Sequence, residues 1–188
     1  GGAGTPTVAD TFSRFDGDRA DVVAYNSPVI NGVQARVSTS EGGEIQGAVF
    51  YKGKYDAVAV KAALGYESNS TSDVDNTIMG SVSLKHDSGL AATYAYGQES
   101  TETGADEADM HYFKVGYAFD AFEVAADYAT HEADNAAGLE GKAFGIGAQY
   151  NLGHGVSVAG AYRNLEAENN TSSADDIDLI MANVRVKF

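Results

Sequence analysis

Strand after strand, this chain repeats a two-residue period in which one of the two residue sets is empty of charge. Seven successive segments show it: Val58, Val60, Ala62, Leu64 and Tyr66; Ile78, Gly80, Val82 and Leu84; Leu90, Ala92, Tyr94 and Tyr96; Phe113, Val115 and Tyr117; Val124, Ala126 and Tyr128; Phe144, Ile146, Ala148 and Tyr150; and Val156, Val158, Gly160 and Tyr162. The alternate residues include Lys61, Ser81, Ser83, Lys85, Thr93, Lys114, Glu123, Asp127, Gln149, Ser157 and Arg163. Side chains of a strand point to opposite faces in turn, so each segment meets two different solvents. The closing stretch behaves alike, with Ile180, Ala182, Val184, Val186 and Phe188 against Leu179, Met181, Asn183, Arg185 and Lys187. A terminal aromatic at the end of an apolar row suits a strand that faces lipid and anchors at an interface.

Composition removes several classes. The 188 residues include no Cys, so neither a disulfide framework nor a cysteine-ligated metal site is available. A net charge of -15 argues against nucleic acid as a partner, because such modules gather Lys and Arg on one face. No run of about 18 apolar residues marks a membrane helix. The mean hydropathy of -0.24 does not exclude a membrane barrel, since half of each strand faces water. The opening Gly-Gly-Ala-Gly-Thr-Pro has no signal-peptide pattern and looks like a loop rather than a natural beginning.

The expected architecture is all-β: an antiparallel transmembrane barrel wall of about eleven strands without helices. Residues 1–18 read as irregular. Strands are expected at 19–27, 33–40, 45–52, 55–66, 77–86, 89–98, 110–119, 122–130, 143–152, 156–163 and 177–188, the first stopped by Pro28 and followed by an Asn31-Gly32 turn. Apart from the short 41–44 connection, the linkers alternate. Residues 67–76, 99–109, 131–142 and 164–176 are long, whereas 53–54, 87–88, 120–121 and 153–155 are short. Up-and-down membrane barrels show this asymmetry, with short periplasmic turns and long extracellular loops. Tyr66, Tyr96, Tyr128 and Tyr162 fall near the long-loop ends, and Tyr25, Tyr51, Tyr117, Tyr150 and Phe188 near the short-turn ends, as two interfacial girdles would require.

The segment from Arg14 to Pro28, Arg-Phe-Asp-Gly-Asp-Arg-Ala-Asp-Val-Val-Ala-Tyr-Asn-Ser-Pro, with Gly32 shortly after, resembles the Gram-negative general porins. Tyr112-Phe113-Lys114-Val115-Gly116-Tyr117 and Val184-Arg185-Val186-Lys187-Phe188 look like further porin strands. The resemblance implies a sixteen-stranded trimeric barrel, of which this chain is the carboxyl-terminal part: 1–18 the tail of the constriction loop, and 19–188 the strands. It also implies that the remaining amino-terminal strands come from sequence not given or from a second chain, and that outer-membrane lipid and lipopolysaccharide surround the barrel. The expected role is a water-filled channel in the bacterial outer membrane for passive diffusion of small hydrophilic solutes. Its constriction would draw on Asp10, Asp16, Asp18 and Arg19, with Arg36, Lys61, Lys114, Arg163 and Arg185 on the wall. Ala24 stands where family members often carry Arg, which weakens the positive wall.

No cofactor or metal is expected. The four histidines lack the helical spacing of a zinc protease, and Asp73-Val74-Asp75-Asn76 lacks the glycine and glutamate of a calcium loop. His131 beside Glu132 is the one fragment of a hydrolase site, without a nucleophile. A structural or adhesive barrel whose loops bind a partner is the alternative to a channel. The carboxylates Glu41, Glu44, Glu67, Asp73, Asp75, Glu99, Glu102, Asp106, Glu107, Asp109, Glu132, Asp134, Glu140, Glu166, Glu168, Asp175 and Asp176 are expected in extracellular loops over the pore mouth, giving a modest cation preference.

Overall fold

The computed structural model describes residues 21–41, 43–68, 74–101, 107–134 and 137–187. They form one antiparallel sheet whose strands follow chain order. The strands are β1 (Val22–Asn26), β2 (Val33–Ser40), β3 (Ile45–Tyr55), β4 (Val58–Ser68), β5 (Val74–His86), β6 (Leu90–Thr101), β7 (Glu107–Phe119), β8 (Phe122–Asp134), β9 (Leu139–Gly153), β10 (Val156–Asn169), β11 (Ser172–Ser173) and β12 (Ile177–Val186). The described residues contain no helix. β11 and β12 lie on the same side of β10, so they act as one interrupted neighbour strand. The two-residue β11 has no counterpart in the sequence reading.

The short connections fall near the expected turns, except that the one expected at 53–54 lies at 56–57, because Gly53 and Lys54 still pair with β4. Asn31 and Gly32 both have positive φ, the conformation of a twisted two-residue hairpin. A side chain at Gly32 would drive its Cβ into the Lys52 carbonyl oxygen, so the close pass of β3 requires glycine there. At the opposite ends the strands outrun their expected limits: β6 continues to Thr101, β7 begins at Glu107, and β10 reaches Asn169. Much of 67–76, 99–109, 131–142 and 164–176 is therefore paired ladder. Once both faces are wet, apolar alternation stops, but backbone groups still gain by pairing across the hairpin. β3 likewise runs to Tyr55, which the sequence reading assigned to the next strand. β1 begins at Val22 among the described residues; the expected irregular segment 1–18 lies outside them.

Cross-strand partners fix the faces. Val49, Leu64 and Gly80 share one face with Tyr96, His111 and Thr130, while Lys61, Ser83, Thr93 and Lys114 share the other. The apolar sets of the sequence reading all fall on the first face, where Leu64, Val115, Ile146 and Val184 stay exposed for want of any protein to cover them. The most buried alanines, Ala108, Ala133, Ala143 and Ala167, belong to the second face near the long-connection ends. The inner face of a barrel wall is the more crowded one, and small residues are what such crowding admits. β1 and β12 do not pair with each other among the described residues.

This assignment predicts asymmetric costs for one substitution. Val115→Arg, on the apolar face between the girdles, should destabilise the protein in lipid by about 2–4 kcal/mol in urea unfolding. Thr93→Arg, on the polar face, should cost much less; equal costs would contradict the face assignment.

Candidate functional site

The polar face is organised by a single row. Lys52, Lys61, Ser83, Thr93, Lys114, Asp127, Gly145, Arg163 and Leu179 are successive Cα partners across β3 to β10 and β12. Lys61 sits close to the turn that opens β4, whereas Arg163 sits mid-strand in β10. Strands tilt by about 35–45° in a barrel, so a row perpendicular to them climbs the wall diagonally.

Small residues flank this row. On one side run Ala91, Gly116, Ala125, Gly147 and Ala161, and on the other Ala63, Ser81, Ala95, Ala129 and Ala143, interrupted by Tyr112. The first set forms a groove of about 370 Å³, edged by Lys85, Lys114, Glu123 and Gln149. Long charged side chains thus stand beside a wall of methyls and backbone, free to reach into solvent.

Gly145 holds the row together in the middle. It lies opposite both Asp127 on β8 and Arg163 on β10. With no side chain between them, the Arg163 guanidinium donates across β9 to the Asp127 carboxylate. An added Cβ at Gly145 would come within 2.8 Å of Asp127 Oδ1. Ser83 and Thr93 share a hydrogen bond of 2.9 Å, and Arg36 Nε donates to Asn26 Oδ1 at 2.7 Å. Lys54 pairs with Asp87 at the turn end.

Of the expected wall residues, Lys61, Lys114 and Arg163 fall in the diagonal row. Arg36 lies two strands from the Lys61 strand, on a row nearer the long connections, and Arg185 lies opposite Ser157. All five share the polar face. Asp10, Asp16, Asp18, Arg19 and Phe188 lie outside the described residues. The sequence reading did not single out the central cross-strand clamp at Gly145; a lone glycine between two charged strands was its only trace. Lys52 ends its expected strand and so has no expected place on the row, whereas β3 continues to Tyr55.

Among the described residues, many of the carboxylates expected in loops over the mouth are strand residues instead. Glu107, Asp109, Glu132, Asp134, Glu140, Glu166 and Glu168 are strand residues on the apolar side's parity, beyond the tyrosines. Of the expected loop acids that lie in strands, Glu67 and Glu99 take the opposite, polar-face parity. Two-residue alternation carries on past the membrane and sorts acids by face, which counting loop residues cannot foresee. Asp73, Glu102 and Asp106 lie outside the described residues. Burial, then the Glu44 and Glu99 charges, raise the Glu67 carboxyl above its usual range, against a lowering hydrogen bond from Gln46. On the outward rim Lys142 is held charged more firmly than usual by a hydrogen bond to Glu168, at 3.1 Å, with Glu140 adding to it.

The girdles are seen from the same registers. Tyr66, Tyr96, Tyr128 and Tyr162 face outward, and Tyr96 and Tyr162 donate to Asp109 and Asp178 at 2.6 and 2.7 Å. At the turn end Tyr117, Phe119, Phe122 and Tyr150 form a continuous ring stack with centroid separations of 4.5 to 5.5 Å. Tyr51 bonds the Tyr55 hydroxyl, and Tyr25 is exposed just before the 27–32 connection. His131 and Glu132 are consecutive in β8 and so point to opposite faces, which dissolves the hydrolase fragment.

A family model described as Gram-negative porin matches residues 1–170. The chain belongs to the Gram-negative porin family. This porin is accordingly an outer-membrane β-barrel protein, and its wall strands are the ones described above. Among solved structures it is similar to the outer-membrane OmpT of Vibrio cholerae, with 14% identity and a TM-score of 0.60 over 88% of this chain and 64% of that one. That protein has also been solved in a trimer form. A porin structure refined at 1.8 Å is similar at 17% identity and a TM-score of 0.60, covering 96% of this chain and 69% of that one. An anion-selective porin from Comamonas acidovorans follows at 15% identity and a TM-score of 0.56, covering 88% and 57%. The porin described here thus spans 64% of the length of the Vibrio protein. No curated protein matches it in sequence.

Substitution at Gly145 tests the clamp. In the native protein Asp127→Asn should cost about 0.5–1 kcal/mol in urea unfolding, as expected for a partly exposed ion pair. In a Gly145→Leu background, where the pair is pushed apart, the same change should cost close to nothing; undiminished cost would mean that Asp127 acts through something else.

Proposed function

We propose that this porin forms the wall of a water-filled channel through which small hydrophilic solutes and ions diffuse passively. The observation that carries the reading is the polar face itself: a charged diagonal bordered by Ala and Gly rows, backed by an outward face that is apolar between two aromatic girdles. Water needs such a face, because side chains at ε near 80 keep their charge at little cost. A solute passing along it exchanges hydration for mobile lysines and hydroxyls and is never fully desolvated.

In this reading the protein performs no catalysis. An adhesive barrel would use its loops and leave the inner row without a task, so the row favours a channel. Closing the wall in hydrocarbon requires strands paired to β1 and β12, since free backbone edges are costly there. We infer that further porin strands complete the barrel, from a longer chain or a second polypeptide, and that three such barrels associate as in the trimer form of the Vibrio OmpT. Residues 1–18 would serve as the constriction-loop tail, with Asp10, Asp16 and Asp18 at its narrowest point. Outer-leaflet lipid and lipopolysaccharide would contact the outward tyrosines and the carboxylates above them.

Protein isolated from outer membranes and reconstituted into vesicles should make them swell in isosmotic pentose, and progressively less as the sugar grows. His131→Ala should leave the rate unchanged. Vesicles that fail to swell with folded protein would contradict the channel reading.

A further inference from the structure

The formal charge of this chain is -15, yet its charge is sorted by face. Among residues in described strands, Lys142 is the one Lys or Arg on the outward parity; all the others stand on the polar face. The strand carboxylates divide the other way, with Glu67, Glu99, Glu123 and Asp127 inward and twice as many outward. Asp127 is spent on Arg163, and Lys54 is held by Asp87. Lys52, Lys61, Lys85 and Lys114 have no ion pair among the described residues. Three of them stand on the diagonal row and Lys85 on the row beside it.

We propose that the pore wall selects small hydrophilic anions, passed along the unpaired Lys52, Lys61, Lys85 and Lys114, while most of the chain's strand carboxylates face away from the permeation path. The inference rests on the channel reading above and names the solute class for it. Its physical basis is distance and screening. Fields decay over about 8–10 Å at physiological salt, so an outward carboxylate with the sheet between it and the lumen acts weakly on a passing ion. A lysine ammonium in the lumen lies within that distance of a passing ion, with only water between them. The bordering Ala and Gly rows leave each ammonium reachable; the carboxylates near Lys114 are its row neighbour Asp127, which is held by Arg163, and Glu123 at the groove's edge. Hydrated anions, inorganic or carboxylate-bearing, would move from one ammonium to the next without losing their water.

The test is a reversal potential across a planar bilayer under a potassium chloride gradient, with protein isolated from outer membranes. Chloride should permeate better than potassium. Lys61→Gln and Lys114→Gln should each lower the chloride-to-potassium ratio roughly two- to fourfold, because one unit charge about 10 Å away in water shifts each ion about twofold in opposite senses before screening. Glu132→Gln and Glu166→Gln, on the outward face, should leave it unchanged. Potassium preference in the native protein would overturn the proposal while keeping the channel, as would a ratio indifferent to both lysines or moved equally by the outward glutamates. Folded protein that passes no current would remove the channel reading and this proposal with it.

Discussion

The whole architecture follows from a shortage of partners for backbone amides and carbonyls in hydrocarbon. Each unpaired group there costs several kcal/mol, so a chain crossing the bilayer with strands must satisfy every group by lateral pairing. The sheet from β1 to β12 does so in chain order, with each long strand bonded to its sequence neighbours. Once the ladder is obligatory, side chains have only two directions to take. One must satisfy lipid and the other water, and the two-residue period in the sequence records that division.

That same division explains why averages of charge and hydropathy say little about either face alone. A net charge of -15 suggests a negative pore mouth, but the ladder continues above the girdle tyrosines and turns Asp109, Glu132, Glu140, Glu166 and Glu168 outward. There Tyr96 and Tyr162 donate to Asp109 and Asp178, and Lys142 lies between Glu140 and Glu168. The rim thus has its own polar chemistry, separate from that of the lumen. Within the lumen the decisive positions are as often empty as filled. Gly145 lets Arg163 reach Asp127, and Gly116 and Gly147 open the groove beside Lys114.

Much of this was legible in the sequence. The faces of Val58 to Tyr66 and of Leu90 to Tyr96 could be read directly, because burial in lipid tolerates no charge and the period is strict. Turn positions such as Asn31-Gly32 were legible because positive φ selects few residues. Strand ends were not, since Glu99 to Thr101 and Glu107 to Asp109 pair without any apolar pattern to announce it. The polar row was visible only as scattered Lys61, Lys114 and Arg163. Their alignment depends on register, which short turns and bulges set jointly across eight strand pairs, and no single segment encodes it.

The central claim is that one face of this sheet meets water and the other lipid, with the lysine row on the wet side. The chain contains no Cys, so single cysteines report position without interference. In the reconstituted protein, Lys61→Cys and Lys114→Cys should react readily with a membrane-impermeant, water-soluble thiol reagent, while Leu64→Cys and Val115→Cys should stay unlabelled. Labelling of the second pair with protection of the first would contradict the account.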